Sequence, residues 1–454
     1  MASGMRVPVK LSEAFGASFE NLISAFAAER KLLPEADAIR STRFLSRSVI
    51  PHIRKLSALF NRLEPIEPSD DDIEPFPGSK AAARANGPKS GRHPSLKIRE
   101  EGQGGGLDPY WKESSNPANQ RLAYFIYFMP SNLFRVAAIW AELARLGFKW
   151  KAAGPLRALE LGAGPASGAC GIAAGESFAP VGLPSGGNWA LIEQDKAMLE
   201  LGSEWAQSYF TDRGFADWGT RTFHRKIDFA RGLLPPAAPR FNLWVMSYFL
   251  NEASDSAAKL AEMLIQSWEK HLDEEGVVIL VEPALKLQSR KLLELRRELL
   301  LASERMNTPW LKVLVPCLGH QACGALAAEG DWCHEEVSWW RPPYFRTIDK
   351  MAGLDRKTLP FSYLVITRSK RTLEEILPAL SGEPATARER LVSPAHFEGK
   401  EQEFYLCGQE GKRRARYRDR ENDETELQRG DILTGTEIRG DVNSSRVDRV
   451  KKIL

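Results

Sequence analysis

The chain has 454 residues, a formal net charge of +3, and ordinary shares of apolar (43%) and charged (27%) residues. At about 150 residues per domain this makes two or three units with a sizeable core. The near-neutral balance excludes a globally basic nucleic-acid binder, so any such surface is local, and no apolar run approaches a membrane span, so no membrane partner is expected. The first residues carry Arg6 and Lys10 without an apolar signal core, and Glu13 and Glu20 argue against an acid-poor transit peptide. A reducing cytoplasm is the expected compartment, where five cysteines read as ligands or buried thiols rather than disulfides.

In chain order, Leu11 to Leu63 predicts helical hairpins with Phe15, Phe19, Leu22, Ile23 and Phe26 on apolar faces, giving a helical amino-terminal region over 1–63. Arg40, Arg43, Arg47, Arg54, Lys55 and Arg62 add a basic bias that suits a solvated face or an RNA-contacting one. Residues 64–118 turn abruptly to proline, glycine, acids and lysine, with Asp70-Asp71-Asp72 and Gly104-Gly105-Gly106 among them. Such a stretch buries too little apolar area to offset its ordering entropy and reads as a flexible linker. Arg121 to Phe148 returns to helix, interrupted at Pro130, and is expected to cover the following sheet.

Leu156 to Leu161 predicts a short buried strand with Glu160 at its end, after which Gly162 and Gly164 turn the chain into small residues that open a helix. Glycine bends this tightly and leaves no Cβ in a ligand's way. Gly168 falls one place late for a dinucleotide fingerprint, so acidic-x-Gly-x-Gly-Pro looks more like the S-adenosylmethionine loop of class I methyltransferases; a bare tight turn is the alternative. Asn188 to Glu193 is the next strand, and Glu193 closes it where a carboxylate accepts from both ribose hydroxyls. Met198 stands five residues on, where an adenine would lie over it, while Asp195 is expected to cap the helix from Lys196.

Thr222 to Asp228, Phe241 to Ser247 and Gly276 to Glu282 continue the alternation of strands and helices, with Asp228 and Glu282 at strand ends. The expected fold is α/β, a class I Rossmann-like methyltransferase domain over 119–380, with a nucleoside site at Glu160, Gly162, Gly164, Glu193 and Asp228. Ala284 to Met306 predicts a long helix carrying Lys286, Arg290, Lys291, Arg296 and Arg297, and Leu311 to Val315 another strand.

The pattern then breaks into a cysteine-rich insertion over 305–345, before a strand at Phe361 to Thr367 resumes the sheet. A β-rich piece over 381–420 includes Gln402 to Cys407 and a basic tract from Lys412 to Arg420. Residues 421–454 read as a polar tail, with a short strand allowed at Asp431 to Leu433. Cys317, Cys323, Cys333 and Cys407 lie in or after the break, in settings of loops rather than cores. Four thiolates suit an iron–sulfur cluster or a structural zinc, with His320 or His334 able to replace one of them. Spacing alone leaves cluster, zinc and no metal open.

Cys317-x5-Cys323, Gly330-Asp331-Trp332-Cys333-His334, Phe361-Ser362-Tyr363-Leu364 and Leu406-Cys407-Gly408 resemble the Rsm-type family, methyltransferase-like proteins of small-ribosomal-subunit assembly known from mitochondria and widespread in bacteria. The resemblance spans roughly Asn119 to Arg418. It implies a 4Fe–4S cluster on Cys317, Cys323, Cys333 and Cys407, S-adenosylmethionine at the glycine loop, and small-subunit rRNA and ribosomal small-subunit precursors as partners. Methyl transfer is not implied: Ser247-Tyr248-Phe249-Leu250-Asn251-Glu252 lacks the Asn/Asp-Pro-Pro-aromatic motif of amino-directed base methyltransferases, and no catalytic base or nucleophile stands out. Three functions follow from the residues: an RNA-binding assembly factor on a methyltransferase scaffold, an active rRNA methyltransferase, and, most remote, a small-molecule methyltransferase with zinc. The absent motif favours the first over the second, and the basic tract disfavours the third.

Overall fold

The computed structural model describes residues 15–60 and 116–452, apart from 230–231, 251–252, 254, 383, 385–386, 395, 399–400, 410, 419–426 and 440–444. Nearly all of the expected linker, and Asn251 and Glu252, lie outside the described residues. The chain opens with α1 (Ala17–Glu29), α2 (Thr42–Ser48) and α3 (Ile50–Phe60). This region is not a separate unit. Phe15 meets Phe134 at 4.8 Å and Phe26 meets Trp205 at 5.2 Å between ring centroids, so the predicted apolar faces join the core of the sheet domain.

Next come α4 (Pro117–Ala123), a π-helical turn over Tyr124–Phe128, and α5 (Met129–Arg145). Pro130 falls in the first turn of α5 directly after the π-helical turn, so it marks the expected change of helix at this point, while the chain stays helical from Pro117 to Arg145. The composite Pro117–Arg145 is long and apolar enough to cross a membrane, contrary to the sequence expectation; 94% of its apolar window is buried inside the protein.

The alternation that follows is β1 (Leu156–Leu161), α6 (Ser167–Phe178), β2 (Gly187–Glu193), α7 (Lys196–Asp212), β3 (Trp218–His224), β4 (Phe241–Ser247), α8 (Ala257–His271), β5 (Leu272–Pro283) and α9 (Lys286–Arg305). After it come β6 (Leu311–Val315), β7 (Glu335–Ser338), α10 (Pro343–Ala352), β8 (Thr358–Arg368) and α11 (Leu373–Ile376). Among the described residues the sheet runs β3-β2-β1-β4-β5-β8-β6, with β7 also on β8. β1 to β5 are parallel, and β8 is antiparallel to β5, β6 and β7. The order reverses between β1 and β4, which places a crevice beyond their carboxyl ends, as the class I methyltransferase fold requires. Gly171 and Gly175, one turn apart on α6, let α5 pack closely: a Cβ there would lie 2.6 Å from Val136 and from Trp140.

The chain ends in a second sheet: β9 (Glu389–Leu391), β10 (His396–Glu398), β11 (Glu401–Gly408), β12 (Gly411–Arg418), β13 (Ile432–Arg439) and β14 (Ser445–Lys452). Its order is β10-β11-β12-β14-β13-β9, and β9 pairs again with β11, so five strands close into a small barrel. β12 and β14 are parallel and every other pairing is antiparallel. Phe404, Leu406, Ala415, Tyr417, Leu427, Leu391 and Leu433 fill it. The supposed polar tail thus supplies two of the barrel's strands. A barrel strand needs apolar residues on one face only, so a polar composition conceals it.

Candidate functional site

The crevice is built around the turn from β1 into α6. Gly162 and Gly164 have φ of +65° and +49°, and Ala166 also sits in the left-handed region at 58°. A Cβ on Gly162 would lie 2.8 Å from Phe249, whereas Gly164 opens onto free space. Gly202 brings α7 against the same loop, since a Cβ there would meet the Gly164 carbonyl at 2.5 Å.

Glu160 lies beneath this turn. Its two carboxylate oxygens accept from the Gly168 and Ala169 amides at 2.7 and 2.8 Å, satisfying donors that open α6. Burial pushes its pKa up to about 8 against those two amides. Gly168 is required for this approach, because a Cβ would stand 2.6 Å from Val245 and 2.7 Å from Glu160 Oε1.

Glu193, at the end of β2, reaches across to the loop. Its Oε2 accepts from the Gly164 amide at 3.0 Å, and its Oε1 from the Gln194 and Asp195 amides at 2.8 and 2.9 Å. Burial raises its pKa while these amides oppose the shift. One carboxylate therefore sets the distance between the glycine loop and the turn after β2. Asp195 caps α7 through the Met198 amide, as expected, and also takes a bidentate contact from Arg121. Met198 is buried in the core.

Asp228 is not at a strand end. The strand expected over Thr222 to Asp228 is Trp218–His224, anchored by buried Trp218, whose indole donates to the Pro184 carbonyl at 2.9 Å. Asp228 is exposed in the loop beyond it. Glu282, near the end of β5, is buried and accepts from the Leu250 amide at 2.8 Å, fixing the turn after β4. In that turn Tyr248 has a φ of 60° and donates its amide to the Val281 carbonyl. Sequence reasoning set Gly168 aside as one place late for a dinucleotide fingerprint and gave Phe249 and Gly202 no role, because their contacts are with elements distant in sequence. Arg135 of α5 was passed over too; its guanidinium lies 5.8 Å from the Tyr248 ring centre.

A second place of interest joins the insertion to the barrel. A cavity of about 40 Å³ is lined by Cys317, Cys333, His334, Cys407 and Arg390, among others. Cys323 is near enough to act electrostatically on the other three cysteines, and burial pushes the thiols of Cys317, Cys333 and Cys407 up, that of Cys407 to about 12. Among the described residues no three His, Cys, Asp or Glu side chains form a metal-holding group. His320 accepts from the Val313 amide at 3.2 Å and lines a different cavity of about 250 Å³. Arg296 donates to the Gly319 and Gln321 carbonyls, and Arg290 to those of Ala328 and Asp331, so two of the basic residues of α9 grip the insertion.

The basic tract is strand β12 rather than a loose run. Lys412 pairs with Asp331, Arg413 with Glu389, and Arg414 and Arg416 both with Glu403. Arg413 is largely buried, whereas Arg414 and Arg416 are about two-fifths exposed (41% and 42%) beside Tyr405, which is 41% exposed.

A family model for the mitochondrial small ribosomal subunit protein Rsm22 matches residues 118–423. The chain belongs to the Rsm22 family. The match takes in the glycine loop, Glu193, all four insertion and barrel cysteines, and β12. No curated protein matches the chain. Solved structures similar to it include precorrin-6y C5,15-methyltransferase from Geobacter metallireducens GS-15 (13% identity, 51% of this chain and 88% of that one, TM-score 0.26). Others are the plantazolicin methyltransferase BpumL (10%, 58% and 94%, 0.29) and the arsenic(III) methyltransferase CrArsM from Chlamydomonas reinhardtii (14%, 55% and 79%, 0.28). These likenesses are too slight to carry a substrate or an activity across.

Proposed function

We propose that this Rsm22-family chain is an S-adenosylmethionine-binding, iron–sulfur-containing assembly factor that binds small-subunit rRNA. The observation that carries the nucleoside reading is the Glu193 carboxylate, held by the Gly164 amide beside open space at the carboxyl edge of the sheet. A ribose placed there would exchange its hydroxyls for those amides on the same acid. Gly162 and Gly164 would face the methionine end. When bound, S-adenosylmethionine supplies an electrophilic methyl group; the chain's own residues bind and orient it.

The barrel supports the RNA reading. Taking β9, β11, β12, β13 and β14 as strands one to five, the ring order is one-two-three-five-four with three and five parallel, the arrangement of oligonucleotide-binding barrels. In such barrels the outer face of strands two and three meets single strands, and here that face carries Tyr405, Arg414 and Arg416. The cluster reading rests on three cysteines from separated segments lining one cavity, with a fourth close by. Four thiolates are the donor set of a 4Fe–4S cluster and serve zinc also.

Assembly without methyl transfer is favoured by the turn after β4, where Tyr248 and Phe249 pack inward and no proline pair presents carbonyls to a base. Crosslinking to RNA in cells, with methylation mapping in a deletion strain, tests the reading. Crosslinks to small-subunit rRNA with every methyl group retained support it; a methyl group lost in the deletion strain makes the chain an active methyltransferase.

A further inference from the structure

Arg135 is an expensive residue to bury without an acid. Its side chain is 6% exposed, Nη1 donates to Asn132 Oδ1 at 2.8 Å, and Nε has no hydrogen-bond partner. No salt bridge reaches it among the described residues, and the charged or titratable groups acting most on it are Tyr248, Arg356, Tyr124 and Tyr127, none of them a carboxylate. Arg356 adds a second guanidinium nearby, stacked on Tyr127 and Phe128 at 4.8 and 4.9 Å and 3.5 Å from Ser131 Oγ. Of the acids on this side among the described residues, Asp349 is taken by Tyr127 and Arg341, and Glu282, which acts on Tyr248, accepts from the Leu250 amide. Two cations converging, with no carboxylate paired to Arg135 among the described residues, cost free energy that an anionic ligand would offset.

Position says which ligand. α5 runs antiparallel to β1, so its first turns stand at the carboxyl ends of the strands. There the Leu133 carbonyl comes within 2.7 Å of a Cβ built on Gly171, one turn into α6. Tyr248, whose ring faces Arg135, precedes Phe249, the residue packed against Gly162. Arg135 therefore adjoins the face of the glycine loop assigned to the methionine end of the ligand, not the Glu193 end.

We propose that Arg135, steadied by Asn132 and Tyr248, binds the carboxylate of the ligand's amino-acid end. This rests on the S-adenosylmethionine reading above and adds the residue that distinguishes a nucleoside bearing an amino acid from one lacking it.

The test uses the full chain and two ligands, S-adenosylhomocysteine and 5′-methylthioadenosine, which lacks the carboxylate. Calorimetry on wild type should show the first binding tighter. Arg135→Met should lose about ten- to a hundredfold in affinity for S-adenosylhomocysteine, the range of a charge-assisted hydrogen bond, with 5′-methylthioadenosine unchanged. Arg135→Lys should regain part of the loss. Should Arg135→Met not fold, Asn132→Leu, which frees the guanidinium, should give the same selective loss. Equal affinity of Arg135→Met and wild type for S-adenosylhomocysteine overturns the assignment and leaves the nucleoside site standing. Failure of wild type to bind either compound overturns the nucleoside reading and the carboxylate subsite together.

Discussion

Arg390, on the first strand of the barrel, donates through Nη1 to Glu142 Oε1 of α5 at 2.9 Å, across 248 positions of sequence. Both side chains are buried, at 2% and 0% exposure, and the chain of charge continues from Arg390 to Glu335 and from Glu335 to Arg429. Burial alone would lift the Glu142 pKa, but Arg390 and Arg145 hold it below the usual carboxylate range. This pair welds the barrel to the sheet domain.

Arg390→Met should therefore leave Glu142 and Glu335 with too little positive charge in the interior and destabilise the protein by about 3–5 kcal/mol, the cost of breaking a buried pair from one side. Urea denaturation should show it, with the barrel released to protease first. Arg390→Met combined with Glu142→Leu should recover part of the loss; a double variant no better than the single one would mean the two groups are not coupled.

Glu160 gives a pH dependence of known sign. Its pKa in the fold, about 8, is above its ordinary value of 4.5, so between those two limits the folded chain binds more protons than the unfolded one. Stability falls as pH rises wherever the native state holds the extra proton. The melting temperature of wild type relative to Glu160→Gln should thus decline from pH 5 to pH 8. A difference that is flat across that window would show that the two helix amides outweigh burial.

Gly168→Ala places a methyl group against the short branched side chain of Val245 and against the Glu160 carboxylate, which the Gly168 and Ala169 amides hold in place. The expected cost is about 1–3 kcal/mol by overpacking. Calorimetric ligand affinity should fall along with it, because the displaced helix start carries the loop. Gly182→Ala, at a site with open space, controls for general glycine effects, although its φ of +95° brings some backbone strain of its own.

Anaerobically purified protein should be brown and contain iron if the four cysteines hold a cluster, and Cys333→Ser should bleach it. The same variant should loosen the barrel toward protease, since Cys407 lies on β11 and Cys333 in the insertion. Colourless wild-type protein with stoichiometric zinc would replace the cluster by zinc.

For RNA, the structure alters which residues to change. Arg413 is buried on Glu389, so Arg413→Ala tests folding rather than binding. Tyr405→Ala, Arg414→Ala and Arg416→Ala together should weaken single-stranded rRNA binding. Each lost phosphate contact should lower the slope of log affinity against log salt by about 0.7. Filter binding with an unchanged slope would make these two cations structural partners of Glu403 alone.

The sequence by itself determined the parallel sheet, the glycine turn with Glu160 and Glu193, and the strands at Phe241 to Ser247 and Leu311 to Val315 to the residue. These are short-range facts: a strand's apolar run and a turn's glycines act within a few residues of each other. Asp195 as a helix cap was legible for the same reason. Only the tertiary structure decided that β13 and β14 close a barrel, because closure is a matter of which distant strands share hydrogen bonds, and their polar composition is compatible with exposure. It also decided that Arg413 is neutralised by Glu389 while Arg135 forms no salt bridge among the described residues, since a charge's partner is set by burial and distance in space. The convergence of Cys317, Cys333 and Cys407 on one cavity is of that kind as well: the spacing left it open, and the packing of the barrel hairpin on the insertion, where Gly324 abuts the Lys412 amide, brought it about.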